Sequence, residues 1–165
     1  MRTRIKICGI TSARDAVAAA ELGVDALGLI FVPGSKRMVT PAQAREIVAA
    51  VPPFVTTVGL FLDARAEDIR ATLAQVPLDL LQFHGDECPA DCGTYGRPYI
   101  KAVAMTPGVN VAAYAASYPD AAGFVLDSHA PGGMGGTGAT FDWSRYPREL
   151  ARPLIIAGGL ASSRG

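Results

Sequence analysis

The sequence lacks the features that mark a nucleic-acid-binding or membrane protein. Its 165 residues include 15 basic and 15 acidic side chains, so the formal net charge is zero and no dense Lys/Arg stripe is present. This balance argues against a nucleic-acid partner and favours a small neutral or anionic metabolite. The longest uncharged stretch, residues 102–119, is interrupted by Pro107, Gly108, Asn110 and Ser117. It is therefore not expected to span a membrane.

Cysteine is also scarce, with only Cys8, Cys88 and Cys92 present. An odd number of cysteines, in a chain with no recognisable secretory leader, favours free thiols and a reducing compartment, so we expect a cytoplasmic protein. His84, Cys88 and Cys92 follow one another at intervals of four. A glycine and a proline between them break any helix that would present all three on one face, so no metal site is predicted.

Short aliphatic or β-branched runs alternate with alanine-rich helical stretches along the chain, which is typical of an α/β protein. The length favours one domain, residues 1–165. The runs predict seven strands, at 4–8, 26–31, 56–61, 80–83, 99–104, 123–126 and 154–157. Their spacing of about 25 residues resembles the repeat of a (β/α)8 TIM barrel. An open parallel α/β sheet is the alternative.

Capping residues mark two of the helix starts. Ser12 with Asp15 resembles a capping box, and Thr40 with Gln43, with a proline at the first helical position, is a clearer one. The segment after the fourth strand, residues 89–95, leaves room for barely two turns of helix.

Polar residues at the carboxyl ends of the predicted strands are the candidates for a site, because parallel α/β folds bind ligands there. They are Cys8, Arg37, Asp63, His84, Asp127 and the pair Gly158 and Gly159. By strand alternation Cys8 shares a face with Lys6, and a thiol beside an ammonium is a candidate base or nucleophile. A lone free cysteine is, however, more often a small buried hydrophobe.

The other candidates each allow a structural as well as a functional interpretation. A partly desolvated Asp127 could serve as a general acid, or it could cap a loop. His84, which shares a face with Gln82, is as consistent with a structural histidine as with a catalytic one. The glycine-rich segment 131–138 could close over a ligand or be a surface loop. Gly158 and Gly159 precede a predicted helix, where barrels often hold phosphate.

Six motifs in order along the chain resemble the phosphoribosylanthranilate isomerase family of tryptophan biosynthesis. They are KICGIT at 6–11, GLIF at 28–31 followed by SKR at 35–37, LQFHGDE at 81–87, LDS at 126–128, GGTGATFDW at 135–143 and AGGL at 157–160. The resemblance implies an eight-stranded barrel, of which the seventh helix, eighth strand and eighth helix are expected to be missing here. It also implies an Amadori rearrangement of a phosphorylated small-molecule substrate, with no metal or organic cofactor.

The same resemblance implies individual roles. Cys8 is similar to the family's general base and Asp127 to its general acid. Arg37 would face the anthranilate carboxylate, which suits the forked donors of a guanidinium. Gln82 and His84 would line the pocket. Gly158 and Gly159 would donate backbone N–H groups to the phosphate.

The sequence also allows two other functional interpretations. One is a non-catalytic or weakly binding barrel fragment, whose open edge would favour association, so a monomer and a homodimer are both possible. The other is a cysteine hydrolase built on Cys8, His84 and Asp127, although no oxyanion hole is apparent in the sequence.

Overall fold

The fold is an alternation of parallel strands and short helices, seen in a computed structural model that describes residues 2–127, 147, 150 and 152–158. The strands are β1 (Lys6–Cys8), β2 (Ala26–Ile30), β3 (Thr56–Phe61), β4 (Leu80–Phe83), β5 (Tyr99–Ala104), β6 (Gly123–Asp127) and β7 (Leu154–Ala157). The helices are α1 (Ala13–Glu21), α2 (Pro41–Ala50), α3 (Ala66–Leu73), α4 (Pro89–Cys92) and α5 (Val111–Ala116), with a 3-10 turn at Gly93–Tyr95.

The seven strands form one parallel sheet in the order β1-β2-β3-β4-β5-β6-β7. Each strand pairs with the next one along the chain. A doubly wound sheet reverses its strand order at a switch point, and this sheet does not. The uninterrupted order is that of a TIM barrel, so the predicted fold class is confirmed over the doubly wound arrangement.

The predicted strand limits are correct for β3, β4, β5 and β7 and wrong by one or two residues elsewhere. The ladder of β1 starts at Lys6 because its first partner on β2 is Ala26. The last strand residue of β2 is Ile30, one earlier than predicted. At β6 the strand continues to Asp127, which pairs with Ala157 of β7. Asp127 is therefore the last residue of β6 and is paired within the sheet.

The predicted helix starts are confirmed by their hydrogen bonds. The Ser12 hydroxyl accepts a bond of 3.1 Å from the Asp15 N–H. At α2 the capping box is complete, since the Thr40 hydroxyl accepts from the Gln43 N–H at 3.2 Å and the Gln43 side chain accepts from the Thr40 N–H at 2.9 Å. These bonds satisfy N–H groups that have no partner within the helix. The short helix after β4 is also present, as α4 and the following 3-10 turn.

The two faces of the sheet contribute to different hydrophobic clusters. Residues facing the helices form the larger one, including Leu27, Leu29, Phe61, Phe83 and Phe124 of the strands. On the inner face a small cluster of Ile100, Ala102 and Val125 packs with Leu80, Ile155 and Ala157. Because side chains alternate along a strand, Gln82 shares the inner face with Leu80. No helix in the described part of the chain is long and apolar enough to cross a membrane.

Candidate active site

Cys8 and Lys6 lie on the same face of β1, opposite a glycine of β2. A Cβ placed on Gly28 would lie 2.8 Å from the Cys8 Sγ and 3.2 Å from the Lys6 Nζ. Both side chains therefore occupy the space that Gly28 leaves open, as strand alternation predicts. The thiol is half-buried and forms no disulfide.

Arg37 lies against the end of β1, although it follows β2 in sequence. Its Nη1 donates a hydrogen bond of 2.8 Å to the backbone oxygen of Cys8. Gly9 adopts φ +88°, and a Cβ there would come within 2.6 Å of the Arg37 Cδ and Nη1. The positive φ favours glycine at position 9, and a side chain there would also displace the Arg37 guanidinium.

Gln82, His84 and Asp127 form a second group, at the ends of β4 and β6. The His84 Nε2 lies 3.0 Å from the Asp127 Oδ2, and the two side chains are 20% and 14% exposed. The Gln82 Nε2 lies 3.1 Å from the other ring nitrogen, the His84 Nδ1. The two predicted strand-end residues therefore contact each other, and Gln82 joins them from within the sheet.

Of the two predicted phosphate-binding glycines, Gly158 lies within the described residues. Gly158 follows β7 directly, is half-buried and has φ +74°. The strand residue before it, Ala157, pairs with Asp127. Gly158 is therefore at the same edge of the sheet as the proposed acid. Gly159 and the glycine-rich segment 131–138 lie outside the described residues.

A buried ion pair that sequence reasoning missed fixes the loop after His84. Lys101 of β5 is fully buried on the helix-facing side of the sheet. Its Nζ donates to the Gly85 backbone oxygen at 2.5 Å and lies 3.2 Å from the Glu87 Oε2. The same ammonium lies 5.5 Å from the ring centroid of Tyr118 and 5.9 Å from that of Tyr114, so cation–π contacts add to the pair.

Backbone groups hold the other end of this ion pair. The Glu87 carboxylate accepts hydrogen bonds from the Gly85 N–H at 3.0 Å and from the Asp63 N–H at 3.0 Å. The Tyr118 hydroxyl donates to the Glu87 backbone oxygen at 2.9 Å. Burial raises the pKa of the Tyr118 hydroxyl well above its usual range, so it remains a donor at neutral pH. The loop beginning at Gly85 is thereby tied to β3, β5 and the end of α5.

Asp63 belongs to this network and does not contact the residues of the candidate site in the described bonds. Its Oδ1 accepts a hydrogen bond of 2.7 Å from the Asp86 N–H. A strand-end position alone did not distinguish this structural role from a catalytic one. The signal available in the sequence for the network was Lys101, a charged residue inside an otherwise apolar strand.

The three cysteines have different surroundings, and none forms a disulfide. Cys88 is exposed, whereas Cys92 is buried. Burial raises the pKa of the Cys92 thiol to about 11, with the negative charge of Glu87 adding to the effect. Within the described ranges no group of three or more His, Cys, Asp or Glu side chains is arranged to hold a metal ion.

A TIM-barrel order of parallel strands, with a thiol, a guanidinium, an imidazole and a carboxyl group at the strand ends, defines an enzyme of the α/β-barrel class. The family model described as N-(5'phosphoribosyl)anthranilate (PRA) isomerase matches residues 5–163. The chain belongs to the PRA isomerase family, which functions in tryptophan biosynthesis. The predicted family and activity are thereby confirmed.

Individual relatives and solved structures agree with this assignment. The chain is 58% identical over 158 residues to the N-(5'-phosphoribosyl)anthranilate isomerase of Azotobacter vinelandii, covering 96% of this chain and 77% of the relative. Its identity to the isomerase of Pseudomonas aeruginosa is 56%, covering 95% and 74%. The phosphoribosyl anthranilate isomerase of Thermotoga maritima superposes with a TM-score of 0.82 at 35% identity, over 96% of this chain and 78% of that one.

One solved relative contains a ligand. It is a phosphoribosyl anthranilate isomerase in complex with reduced 1-(o-carboxyphenylamino)-1-deoxyribulose 5-phosphate. It superposes with a TM-score of 0.77 at 34% identity, over 96% of this chain and 77% of that one.

Proposed function

We propose that Cys8 is the general base and Asp127 the general acid of an Amadori rearrangement that converts N-(5-phosphoribosyl)anthranilate to 1-(2-carboxyphenylamino)-1-deoxyribulose 5-phosphate. The observation that carries the proposal is the placement of a thiol and a carboxyl group on different strands at one edge of the sheet. Each has a polar neighbour, Lys6 beside the thiol and His84 at 3.0 Å from the carboxyl group. Two such groups can act on opposite parts of one small ligand.

The reaction balances with these two groups alone. Asp127 gives its proton to the ribose ring oxygen as the bond from that oxygen to C1 breaks, and the nitrogen lone pair forms a C1–N double bond. The Cys8 thiolate then removes the proton from C2, and the electron pair left behind forms a C1–C2 double bond while the second pair of the C1–N double bond returns to the nitrogen. When C1 regains a proton and the C2 hydroxyl loses one, the ketone forms. Oxidation at C2 matches reduction at C1, so the steps consume no external oxidant.

The remaining site residues are proposed to bind the substrate. Arg37, held on the Cys8 backbone oxygen at 2.8 Å, would place a forked donor opposite the anthranilate carboxylate. Gly158 and Gly159 would offer backbone N–H groups to the phosphate at the end of β7. The phosphorylated compound bound to a solved relative supports a ligand of this chemical class.

The hydrolase alternative is disfavoured by the position of His84. A cysteine hydrolase needs an imidazole nitrogen within hydrogen-bond distance of the thiol. Here both ring nitrogens have other partners, Gln82 at 3.1 Å and Asp127 at 3.0 Å. Cys8 instead has Lys6 as its polar neighbour.

The catalytic roles are tested by following the loss of substrate fluorescence with the full chain. Cys8→Ala and Asp127→Asn should each lower kcat by about 10²–10⁴-fold, the usual contribution of a positioned acid or base. Cys88→Ala and Asp120→Asn change the same residue types at exposed positions and should leave turnover unchanged. Near-normal turnover in either site variant would refute its proposed role.

Domain organisation, assembly and location complete the proposal. All the described strands belong to one sheet, which supports a single domain. A cytoplasmic enzyme acting as a monomer or a homodimer is proposed, and one solved relative consists of monomers generated from the dimeric isomerase of Thermotoga maritima. Light scattering alongside the activity assay separates these states from the fragment alternative. An active, non-aggregating chain rejects that alternative, whereas an inactive and associating chain supports it.

A further inference from the structure

Gln82 is a polar side chain in an apolar position. It is 2% exposed and lies on the inner face of β4, the face of Leu80, which packs against the inner hydrophobic cluster. Its Nε2 reaches the His84 Nδ1 at 3.1 Å. Its Oε1 has no hydrogen-bond partner among the described residues. A half-satisfied amide in such a place is less favourable than a hydrocarbon of the same size, so Gln82 is not explained by stability.

The hydrogen bonds around His84 determine which ring nitrogen carries its proton. The Nε2 lies 3.0 Å from the Asp127 Oδ2. With the acidic proton of Asp127 on Oδ1, or with the carboxyl group ionised, the Oδ2 only accepts, and the Nε2 is then the donor of this bond. A neutral imidazole has one N–H, and the Nδ1 is then an acceptor. The Gln82 amide, turned with its NH2 toward the Nδ1, supplies the donor that this acceptor needs.

We propose that Gln82 is a positioning residue: it holds His84 in the Nε2–H tautomer, so that His84 donates to the Asp127 Oδ2 and directs the acidic proton of Asp127 to Oδ1. This inference rests on the proposed role of Asp127 as the general acid. It assigns Gln82 a task different from lining the substrate pocket, because the amide is buried and acts through the imidazole. The reversed amide would place the Oε1 on the Nδ1, which requires a proton there and leaves the Nε2 of a neutral ring unable to donate to Asp127.

The tautomer is measured directly by long-range ¹H–¹⁵N correlation on the ¹⁵N-labelled full chain at pH 8. The chain has only two histidines, so a His129→Gln variant assigns the signals of His84. We expect a protonated Nε2 and an unprotonated Nδ1. A protonated Nδ1, or a mixture of the two tautomers, would overturn the proposal.

Two substitutions of Gln82 connect the tautomer to the reaction. Gln82→Met removes the donor and keeps the volume. We expect mixed tautomers, a kcat lower by about tenfold, as for loss of one hydrogen bond in a positioned group, and a KM changed by less than about twofold. Gln82→Glu replaces the donor with an acceptor, so the Nδ1 should become protonated and kcat should fall further. Gln75→Met is the matched control at an exposed glutamine and should change neither measurement.

Thermal unfolding separates positioning from a structural role. If Gln82 acts only through His84, Gln82→Met leaves the Tm unchanged or raises it while kcat falls. A lower Tm with an unchanged tautomer, or a raised KM with an unchanged kcat, would refute positioning in favour of a structural or substrate-contacting role. An inactive wild-type chain with a protonated Nε2 would overturn the proposed function while supporting the tautomer assignment. An active chain with a protonated Nδ1 would support the proposed function while overturning the tautomer assignment.

Discussion

Removing the ammonium of Lys101 tests whether the buried ion pair behind the site stabilises the fold. The Lys101 side chain is 0% exposed and that of Glu87 is 9% exposed, so neither charge has much access to water. Lys101→Met keeps the apolar stem but removes the bond of 2.5 Å to the Gly85 oxygen and the ion pair of 3.2 Å with Glu87.

The expected cost follows from the partners that remain. Breaking a buried pair by removing one member costs about 3–5 kcal/mol. Glu87 still accepts from two backbone N–H groups, Gly85 and Asp63, so its charge is not left wholly uncompensated. We therefore expect a loss near the lower limit, about 3 kcal/mol, from a total stability of about 5–15 kcal/mol that is usual for a domain. Urea denaturation followed by circular dichroism measures it.

A double variant identifies the charge as the cause. Glu87→Gln in the Lys101→Met background removes the unpaired carboxylate and should recover part of the loss, giving a coupling energy of about 1–3 kcal/mol. Lys36→Met, at an exposed lysine, is the matched control and should stay within about 0.5 kcal/mol of wild type. A cost below about 1 kcal/mol for Lys101→Met, or additive effects in the double variant, would refute the reasoning.

Three further predictions concern the thiols and one strained residue. Burial raises the pKa of Cys92 to about 11, so only about one in a thousand of its thiols is ionised at pH 8. Mass spectrometry of the native protein after treatment with iodoacetamide should therefore find Cys92 unmodified and the exposed Cys88 labelled. Lys6→Met should slow alkylation of Cys8 by the anionic reagent iodoacetate relative to that of Cys88, because the positive charge that attracts the reagent is lost. An unchanged ratio of the two rates would exclude that influence. Phe54 has φ +72° and a fully exposed side chain. Phe54→Gly should therefore raise the free energy of unfolding, measured by urea titration, by about 0.5–1 kcal/mol. A lower free energy of unfolding would show that the ring makes a stabilising contact.

Much of the fold was predictable because its signals are local. Each strand run, turn and capping box is formed by residues that are close together in sequence. Four of the seven strands have the limits that the sequence predicts. The extension of β6 to Asp127 was not predictable, because it depends on pairing with Ala157 of a strand distant in sequence. The end of a strand is determined by its neighbour as well as by its own residues.

The candidate site was predictable as a set of residues but not as a set of contacts. Position at strand ends selected Cys8, Arg37, His84 and Asp127, and alternation placed Lys6 beside Cys8. The same criterion included Asp63, which instead accepts the Asp86 N–H at 2.7 Å in a structural loop.

The sequence by itself determined the strand and helix pattern, the family and the chemical groups at the edge of the sheet. Only the tertiary structure decided that His84 contacts Asp127, that the buried Gln82 contacts His84, and that Lys101 and Glu87 form an ion pair at the loop after His84. The physical reason is the separation along the chain over which each interaction acts. Hydrophobic alternation and caps act between near neighbours, whereas hydrogen bonds between strands require the register of the whole sheet to be in place.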